Sequence, residues 1–323
     1  MINVSVIICC YNSQHLIQKT LEHLASQEIN DDFSYEVVLV DNNCTDQTVT
    51  IARHLWSELN TKAVLHVVTE VTPGLSHARE KGLNNSKGEI IVFCDDDNWL
   101  QNDYLKIAFD FMIDHPKVGA LGGHSTGVLE METPPSWWQQ EATNYAVGKQ
   151  ALQSGDVTKR GYLWGAGIVI RKDILIRLHE TGFRSLLSDR KGNELSSGGD
   201  SEICKWVLLS GYRLWYIDNL KFIHYITANR LKVDYLEKLL EGHFKSQPIL
   251  NLYDRFISFA KSNKNINLSI PHDYRLFKKG IKSFLKKDEK WKEFIQLSLG
   301  SRVKFYPDLF IIIRTYKKLI TFL

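Results

Sequence analysis

The 323-residue sequence predicts an α/β fold with a mixed, mainly parallel sheet flanked by helices. Short runs of β-branched and other apolar residues have the composition of buried parallel strands: VSVIICC (4–10), YEVVLVD (35–41), AVLHVV (63–68) and EIIVFCD (89–95). Segments with helical spacing lie between them, at residues 14–27, 45–59 and 75–86, with Thr45 and Ser76 as candidate N-caps. This alternation is typical of βαβ units, which bind ligands at the carboxyl ends of their strands.

The composition limits the possible classes of protein. With 44% hydrophobic and 24% charged residues, the chain can bury a substantial core. The formal net charge of +3 is small and the sequence contains no recognised nucleic-acid-binding motif, so a nucleic-acid partner is not indicated. The five cysteines form no CxxC pair, which favours the cytoplasm over a disulfide framework. We expect neither a signal peptide nor a transmembrane helix, because charges interrupt every apolar run before about 18 residues.

The run EIIVFCDDDNWL (89–100) ends a predicted strand in three consecutive carboxylates, Asp95, Asp96 and Asp97. Like charges at a rigid strand end repel one another, so we expect a cation to offset them. Oxygen ligands favour Mg²⁺ or Mn²⁺. The alternative is a solvated acidic turn that caps the following helix, NDYLKIAFDFM.

Three segments of the second half carry further candidates. YLWGAGIVIRKDIL (162–175) predicts a glycine-flanked loop, a strand and a helix, with Trp164 either against a sugar or in the core. LSSGGDSEICKWVLLSGYRLWY (195–216) predicts a glycine-rich turn and an amphipathic helix, and Asp200 near its start suits a helix cap. LKFIHYI (220–226) predicts a late strand that carries His224, and a lone His on a strand is more often structural.

Two other segments bear on partners. METPPSWWQQEATNYAVGKQ (131–150) predicts an insertion or lid in which Trp137 and Trp138 either contact sugars or lipid head groups or pack the insertion onto the body. Helical patterns dominate from about residue 232, and residues 271–323 contain 13 Lys or Arg against 5 Asp or Glu, a surplus of 13 − 5 = 8. Such a basic amphipathic segment either contacts an anionic membrane surface or packs with a basic outer face.

Three ordered blocks, CCYN (9–12), VDNNCTDQT (40–48) and PGLSHAREKGLNNSKGEIIVFCDDD (73–97), resemble the donor-binding half of the family 2 glycosyltransferases, which have the GT-A fold. The resemblance covers roughly residues 1–230. Competing phosphate fingerprints are absent, since no GxGxxG follows the first strand and no GxxxxGK[ST] occurs.

The resemblance implies a nucleotide site at the first two strand ends. Tyr11 would stack on the base, and Asp41 would accept a hydrogen bond from a base N–H such as that of uracil. Without the resemblance, Tyr11 would be a core aromatic and Asp41 a helix cap. Arg79 would lie near the donor phosphates, or else pair with a neighbouring Glu. The residue after Arg79 is Glu80, where the family more often has Asn.

The resemblance also implies a metal site beside the donor. Asp95 and Asp97 form the D-x-D pair of the family, with Asp97 as a direct ligand of Mn²⁺ or Mg²⁺ and Asp95 holding the sugar or a metal-bound water. Asp96 is assigned to donor binding, and His224 to the metal. A metal there would stabilise the charge on the departing nucleoside diphosphate.

On the acceptor side, the resemblance makes Asp200 the catalytic base of an inverting transfer. The family usually has Glu-Asp here, and Gly199 replaces the Glu. Trp164, Gly165 and Glu202 are assigned to acceptor binding.

The resulting prediction is a catalytic domain at residues 1–230, divided into a nucleotide-binding half (1–100) and an acceptor half (101–230), followed by a helical, basic extension at 231–323. It would transfer a sugar, UDP-linked by preference, to a saccharide or lipid-linked saccharide in surface polysaccharide assembly. We expect a cytoplasmic protein, peripheral on the membrane if the extension binds lipid. A sugar-nucleotide-forming nucleotidyltransferase and a non-catalytic nucleotide-sugar-binding scaffold are the alternatives.

Overall fold

The computed structural model describes residues 2–30, 32–187, 197–262 and 307–322. Within these ranges one sheet contains nine strands. They are β1 (Val4–Cys10), β2 (Tyr35–Asp41), β3 (Val64–Thr69), β4 (Ile90–Phe93), β5 (Asn98–Leu100), β6 (Val118–Leu129), β7 (Gly155–Asp156), β8 (Val169–Arg171) and β9 (Arg213–Ile226). The described α-helices are α1 (Ile17–Ala25), α2 (Thr48–Glu58), α3 (Leu75–Asn85), α4 (Tyr104–Asp114), α5 (Trp138–Glu141), α6 (Lys172–Glu180), α7 (Gly199–Leu209), α8 (Val233–Ser262) and α9 (Pro307–Leu319).

The sheet confirms the predicted fold class. Its strand order is β3-β2-β1-β4-β8-β6-β9-β5, and β7 pairs with β9. The strands β1 to β4, β6 and β9 run in one direction, and β5, β7 and β8 run in the other. The predicted loop, strand and helix of residues 162–175 are present as the approach to β8, β8 itself and α6.

Different helices cover the two faces of the sheet. Val4, Val6 and Ile8 of β1 point to one face and pack with α1, α2 and α4. Ile7 points to the other face, where α3, α6, α7, α8 and α9 pack. Because alternate residues of a strand point to opposite faces, a strand covered on both sides must be apolar throughout, as VSVIICC nearly is.

Local predictions near the first three strands succeed in part. β1 and β2 have the predicted bounds. β3 is not buried, because it lies at the edge of the sheet with one neighbour, and its residues are exposed or half-buried. The candidate N-caps Thr45 and Ser76 are wrong, since the cap positions of α2 and α3 are Gln47 and Gly74.

Strand pairing brings the candidate segments to one edge of the sheet. β1, β2 and β4 are parallel and end on this edge. β8 runs antiparallel to β4 with Val92 opposite Val169, so the residues that precede β8 lie beside those that follow β4. β5 pairs antiparallel with β9, and this register sets Asn98 opposite His224.

The insertion at residues 131–150 packs onto the body of the protein. Trp138 is 9% exposed and belongs to an apolar cluster with Tyr145 and Leu231. The ring of Trp137 stacks on Tyr145 at a centroid distance of 6.2 Å. Of the two interpretations of these tryptophans, the structure supports packing.

The described part of the C-terminal extension also packs on the body. Tyr253 of α8 and Ile312 and Leu319 of α9 are buried in one apolar cluster with α6 and α7. Most of the basic segment 271–323 lies outside the described residues, so membrane contact stays a prediction, as does the domain boundary near residue 230. In the described ranges, no helix combines the length and apolar character needed to cross a bilayer.

Candidate active site

A buried carboxylate, Asp97, lies at the centre of the candidate metal site. It directly precedes β5, is 6% exposed, and its Oδ1 lies 3.4 Å from Nε2 of His224, which is 3% exposed. The Oδ1 atom also accepts a hydrogen bond of 2.9 Å from the Asn98 side chain. The sequence-based pairing of Asp97 with His224 is therefore present in the structure, and the acidic-turn alternative fails for Asp97 because the residue is buried and β5 separates it from α4.

Arg230 is a cation beside this carboxylate, and no sequence pattern predicted it. Its Nη1 lies 2.5 Å from Asp97 Oδ2 and 3.4 Å from His224 Nε2. Burial alone would lower the pKa of Arg230, but the attraction of Asp97 raises it above its ordinary value. The guanidinium therefore stays charged and neutralises Asp97.

Asp97 and His224 are of the residue types that bind divalent cations. Nε2 of His224 lies 3.4 Å from both Asp97 Oδ1 and Arg230 Nη1, and Nδ1 is buried without a hydrogen-bond partner among the described residues. One carboxylate and one imidazole lone pair suit Mn²⁺, with phosphate oxygens to complete the coordination. The described residues contain no group of three or more His, Cys, Asp or Glu able to hold a metal without such a ligand.

The other two aspartates have different surroundings. The backbone N–H of Asp95 donates to the Asn98 side chain at 3.2 Å, and the residue is half-buried. Asp96 accepts a hydrogen bond from the hydroxyl of Ser13 on the loop before α1, and its carbonyl accepts one of 2.7 Å from Thr20. Burial, followed by repulsion from Asp97, raises the pKa of Asp96 to about 7. Asp96 is thus tied to α1, and its assignment to donor binding stays a prediction.

Tyr11 directly follows β1, and Asp41 is the last residue of the neighbouring strand β2. Tyr11 is 60% exposed, which excludes the core alternative and leaves its ring accessible. Asp41 accepts a 2.9 Å hydrogen bond from the backbone N–H of Cys44 through Oδ1, in a turn that precedes α2. The carboxylate closes this turn and does not cap the helix, since α2 begins later, at Thr48.

Arg79, Gly165 and Asp200 lie close together near the same edge of the sheet. The backbone N–H of Gly165 donates to Asp200 Oδ2 at 2.7 Å, and that of Ser201 donates to Oδ1 at 2.8 Å. A Cβ on Gly165 would lie 3.0 Å from Asp200 Cβ and 3.3 Å from Arg79 Nη2. The Arg79 guanidinium also lies 5.2 Å from the Phe93 ring at the end of β4. The structure therefore brings a base candidate and a phosphate-binding candidate to one glycine.

Trp164 is the half-buried residue next to Gly165. Its backbone N–H donates to the Gln150 side chain at 2.8 Å. The guanidinium of Arg160 lies 5.3 Å from its ring and 4.3 Å from the ring of Tyr162. Arg160 thus contacts both aromatic rings, and the backbone of Trp164 adjoins the Gly165 N–H that donates to Asp200.

Glu202 does not join the site, although the sequence analysis assigned it to acceptor binding. It is 1% exposed and accepts hydrogen bonds from the backbone N–H of Leu186 at 3.0 Å and from the Tyr253 hydroxyl at 2.6 Å. Burial raises the pKa of Glu202, and the hydrogen bonds from Ser185, Tyr253 and the backbone lower it only in part. Two positions along a helix from Asp200, the side chain points to the opposite face, as helical periodicity alone requires.

Comparisons with known proteins identify the family. Residues 5–178, more than half of the chain, match the model of glycosyl transferase family 2. Glycosyltransferase GlyA of Streptococcus pneumoniae is 29% identical over 121 residues, which are 38% of this chain and 16% of the relative. The poly(ribitol-phosphate) beta-N-acetylglucosaminyltransferase TarS of Staphylococcus aureus is 34% identical over 115 residues, 36% of this chain and 20% of the relative. The chain therefore matches no more than about a fifth of the length of these two relatives.

Solved structures share the fold. Residues 1–349 of S. aureus TarS in complex with UDP-GlcNAc superpose with a TM-score of 0.53 and 20% identity, covering 99% of this chain and 90% of that one. The mannosyltransferase PcManGT of Pyrobaculum calidifontis, in complex with GDP-Man and Mn²⁺, superposes with a TM-score of 0.52 and 18% identity, covering 98% and 87%. The family match and these folds together show that the chain belongs to glycosyl transferase family 2 and has the GT-A fold.

Proposed function

We propose that this protein transfers a sugar from a nucleoside diphosphate donor to a hydroxyl group of a saccharide or lipid-linked saccharide, with inversion at the anomeric carbon. The observation that carries the proposal is the meeting of Arg79 and Asp200 at Gly165. A cation for the leaving diphosphate and a carboxylate for the attacking hydroxyl are the two groups that an inverting transfer needs.

The donor is proposed to be UDP-linked. Tyr11 is exposed at the end of β1, where an aromatic ring can stack on any base. Selection for uracil would come from Asp41, because an acceptor-only carboxylate favours a base edge that presents an N–H. The TarS neighbour was solved with UDP-GlcNAc, which agrees with a uridine nucleotide, whereas the PcManGT neighbour was solved with GDP-Man. The donor must therefore be tested with both nucleotides.

Asp97 and His224 are proposed to hold Mn²⁺ or Mg²⁺. A divalent cation bound there would supply Lewis-acid stabilisation of the charge that develops on the leaving diphosphate. Arg79 would contribute to the same stabilisation, because its planar guanidinium suits paired phosphate oxygens. Asp95 would orient the donor sugar.

Asp200 is proposed to be the general base. Its carboxylate is fixed by two backbone N–H donors, from Gly165 and Ser201. The acceptor hydroxyl loses its proton to Asp200 as its oxygen bonds to the anomeric carbon, and the bond from that carbon to the diphosphate oxygen breaks on the opposite face. Trp164 would pack against the acceptor sugar. Surface polysaccharide assembly is the proposed setting, and contact with an anionic membrane through the basic extension would bring the enzyme to a lipid-linked acceptor.

Asp200→Asn separates binding from turnover. Release of UDP from a panel of UDP-sugars, with a saccharide acceptor mixture, should fall roughly 10²- to 10⁴-fold in the variant. Affinity for UDP should stay within about twofold, because Asp200 contacts the acceptor and not the nucleotide. Asp173→Asn is the matched control, since Asp173 lies in the first turn of α6 and pairs with Arg177 on the surface. Wild-type turnover by Asp200→Asn would overturn the assignment of the base.

A further inference from the structure

The Asp97 carboxylate already has a positive partner from the chain itself. Arg230 Nη1 lies 2.5 Å from Oδ2 of Asp97 and 3.4 Å from Nε2 of His224. These are the two side chains that the proposed function assigns to the metal. A cation that took lone pairs from both would occupy the space that Nη1 now fills, and it would also be repelled by the guanidinium.

The ion pair is buried, which makes the competition strong. The side chains of Asp97 and Arg230 are 8% and 13% exposed, and that of His224 is 4% exposed. A buried carboxylate that loses its partner is strongly destabilised, so Asp97 needs one cation at all times. Two cations at one carboxylate would leave an excess of positive charge, unless another anion enters the site.

The position of Arg230 allows its side chain to leave while its backbone stays fixed. The residue lies in the short 3-10 helix Ala228–Leu231 after β9, and its carbonyl accepts a 2.9 Å hydrogen bond from the Tyr145 hydroxyl. Its Nε makes no hydrogen bond to the described residues, and its guanidinium lies 5.8 Å from the Tyr235 ring. Among the described residues, Asp97 and His224 lie closest to the guanidinium, and Tyr235 and Asp95 add weaker attraction to it.

We propose that Arg230 and the divalent cation exchange at Asp97, so that Arg230 makes metal binding depend on the nucleotide. Without nucleotide, Arg230 neutralises Asp97 and keeps the metal affinity low. A nucleoside diphosphate adds negative charge to the site, and this charge accommodates the metal and the displaced guanidinium together. The inference rests on the proposed function, since it takes Asp97 and His224 as the metal ligands.

The test measures Mn²⁺ binding directly, by the loss of the free-ion electron paramagnetic resonance signal, in the full chain with and without UDP. Without UDP, Arg230→Met should bind Mn²⁺ at least about tenfold more tightly than the wild type, because the competitor for a buried carboxylate is gone. UDP should increase Mn²⁺ affinity much more in the wild type than in the variant. Arg230→Gln repeats the test if the Met variant does not fold, as judged by circular dichroism.

Arg160→Met is the matched control. It also removes an arginine from an aromatic ring, and Arg160 has its ring contacts with Tyr162 and Trp164 and not with the Asp97 site. Its Mn²⁺ affinity should equal that of the wild type. If the wild type binds Mn²⁺ with UDP but the Arg230 variants gain no affinity without it, the exchange is overturned and the proposed function stands. Absence of Mn²⁺ and UDP binding in every protein overturns both.

Discussion

Gly165→Ala tests whether Asp200 and Arg79 act at one reaction centre. An added Cβ would lie 3.0 Å from Asp200 Cβ, 3.1 Å from Asp200 Oδ2 and 3.3 Å from Arg79 Nη2. Optimal contacts between carbon atoms are about 3.5–4.0 Å, so both side chains must move by several tenths of an ångström. Gly165 does not have a positive φ, so alanine is compatible with the backbone and the effect arises from these contacts.

The size of the effect follows from these distances. A misplacement of about 1 Å can cost roughly 10²-fold in rate, so a shift of about half that size should lower kcat/KM by about tenfold. Overpacking typically costs about 1–3 kcal/mol, and we expect a cost in this range because Arg79 Nη2 can move at the end of a flexible side chain, whereas Asp200 Cβ moves only with its backbone. Turnover is measured by UDP release, and stability by urea denaturation.

Gly155→Ala is the matched control, because a Cβ there meets no atom within 4 Å and Gly155 does not have a positive φ. It should change neither turnover nor stability. The reasoning is refuted if Gly165→Ala folds normally and keeps both its turnover and its UDP affinity within about twofold of the wild type.

Three further predictions concern stacking of Tyr11 on the nucleotide base, the buried Glu202 of α7 and the basic C-terminal extension. Tyr11→Ala should weaken UDP binding in calorimetry by roughly 10- to 100-fold through lost stacking, with unchanged urea denaturation; unchanged affinity would exclude the base contact. The raised pKa of Glu202 means that the folded state loses stability as the pH rises from the ordinary value of 4.5 through that raised pKa. The unfolding free energy of Glu202→Gln, relative to the wild type, should therefore increase between pH 4.5 and pH 7.5, and a constant difference would contradict this account. Replacing Lys286, Lys287, Lys290 and Lys292 by Gln should reduce flotation with anionic liposomes at low salt by roughly 10²- to 10³-fold in partition coefficient, at about 1 kcal/mol for each lysine; unchanged flotation would exclude this membrane contact.

The sequence was most informative where one physical requirement acts alone. β1 and β2 are covered on both faces, so their apolar runs mark their bounds. The composition of β3 is similar, but β3 lies at the edge of the sheet. Its edge position depends on strand pairing, which a local sequence pattern does not predict. The starts of α2 and α3 were wrong because Thr45 and Ser76 are good caps by residue type, whereas the surrounding turns decide where each helix begins.

Some residues of the candidate site were predicted from the sequence and others were not. The family pattern predicted that Asp97 and His224 would meet, and the register of β5 and β9 brings them together. Arg230 was missed because it is 133 residues from Asp97, and the segment TANRL around it carries no motif. The sequence alone could have excluded Glu202 from the acceptor site. Residues two positions apart on a helix point to opposite faces, so Glu202 cannot share a face with Asp200.

Calorimetric titration of UDP and GDP into the wild type and Asp97→Ala, with Mn²⁺ or with a chelator, decides whether Asp97 belongs to a metal-dependent nucleotide site. We expect UDP binding that requires Mn²⁺ and is lost in Asp97→Ala. Metal-independent UDP binding that the substitution leaves intact, or the absence of binding of either nucleotide to the wild type under every condition, would contradict this expectation.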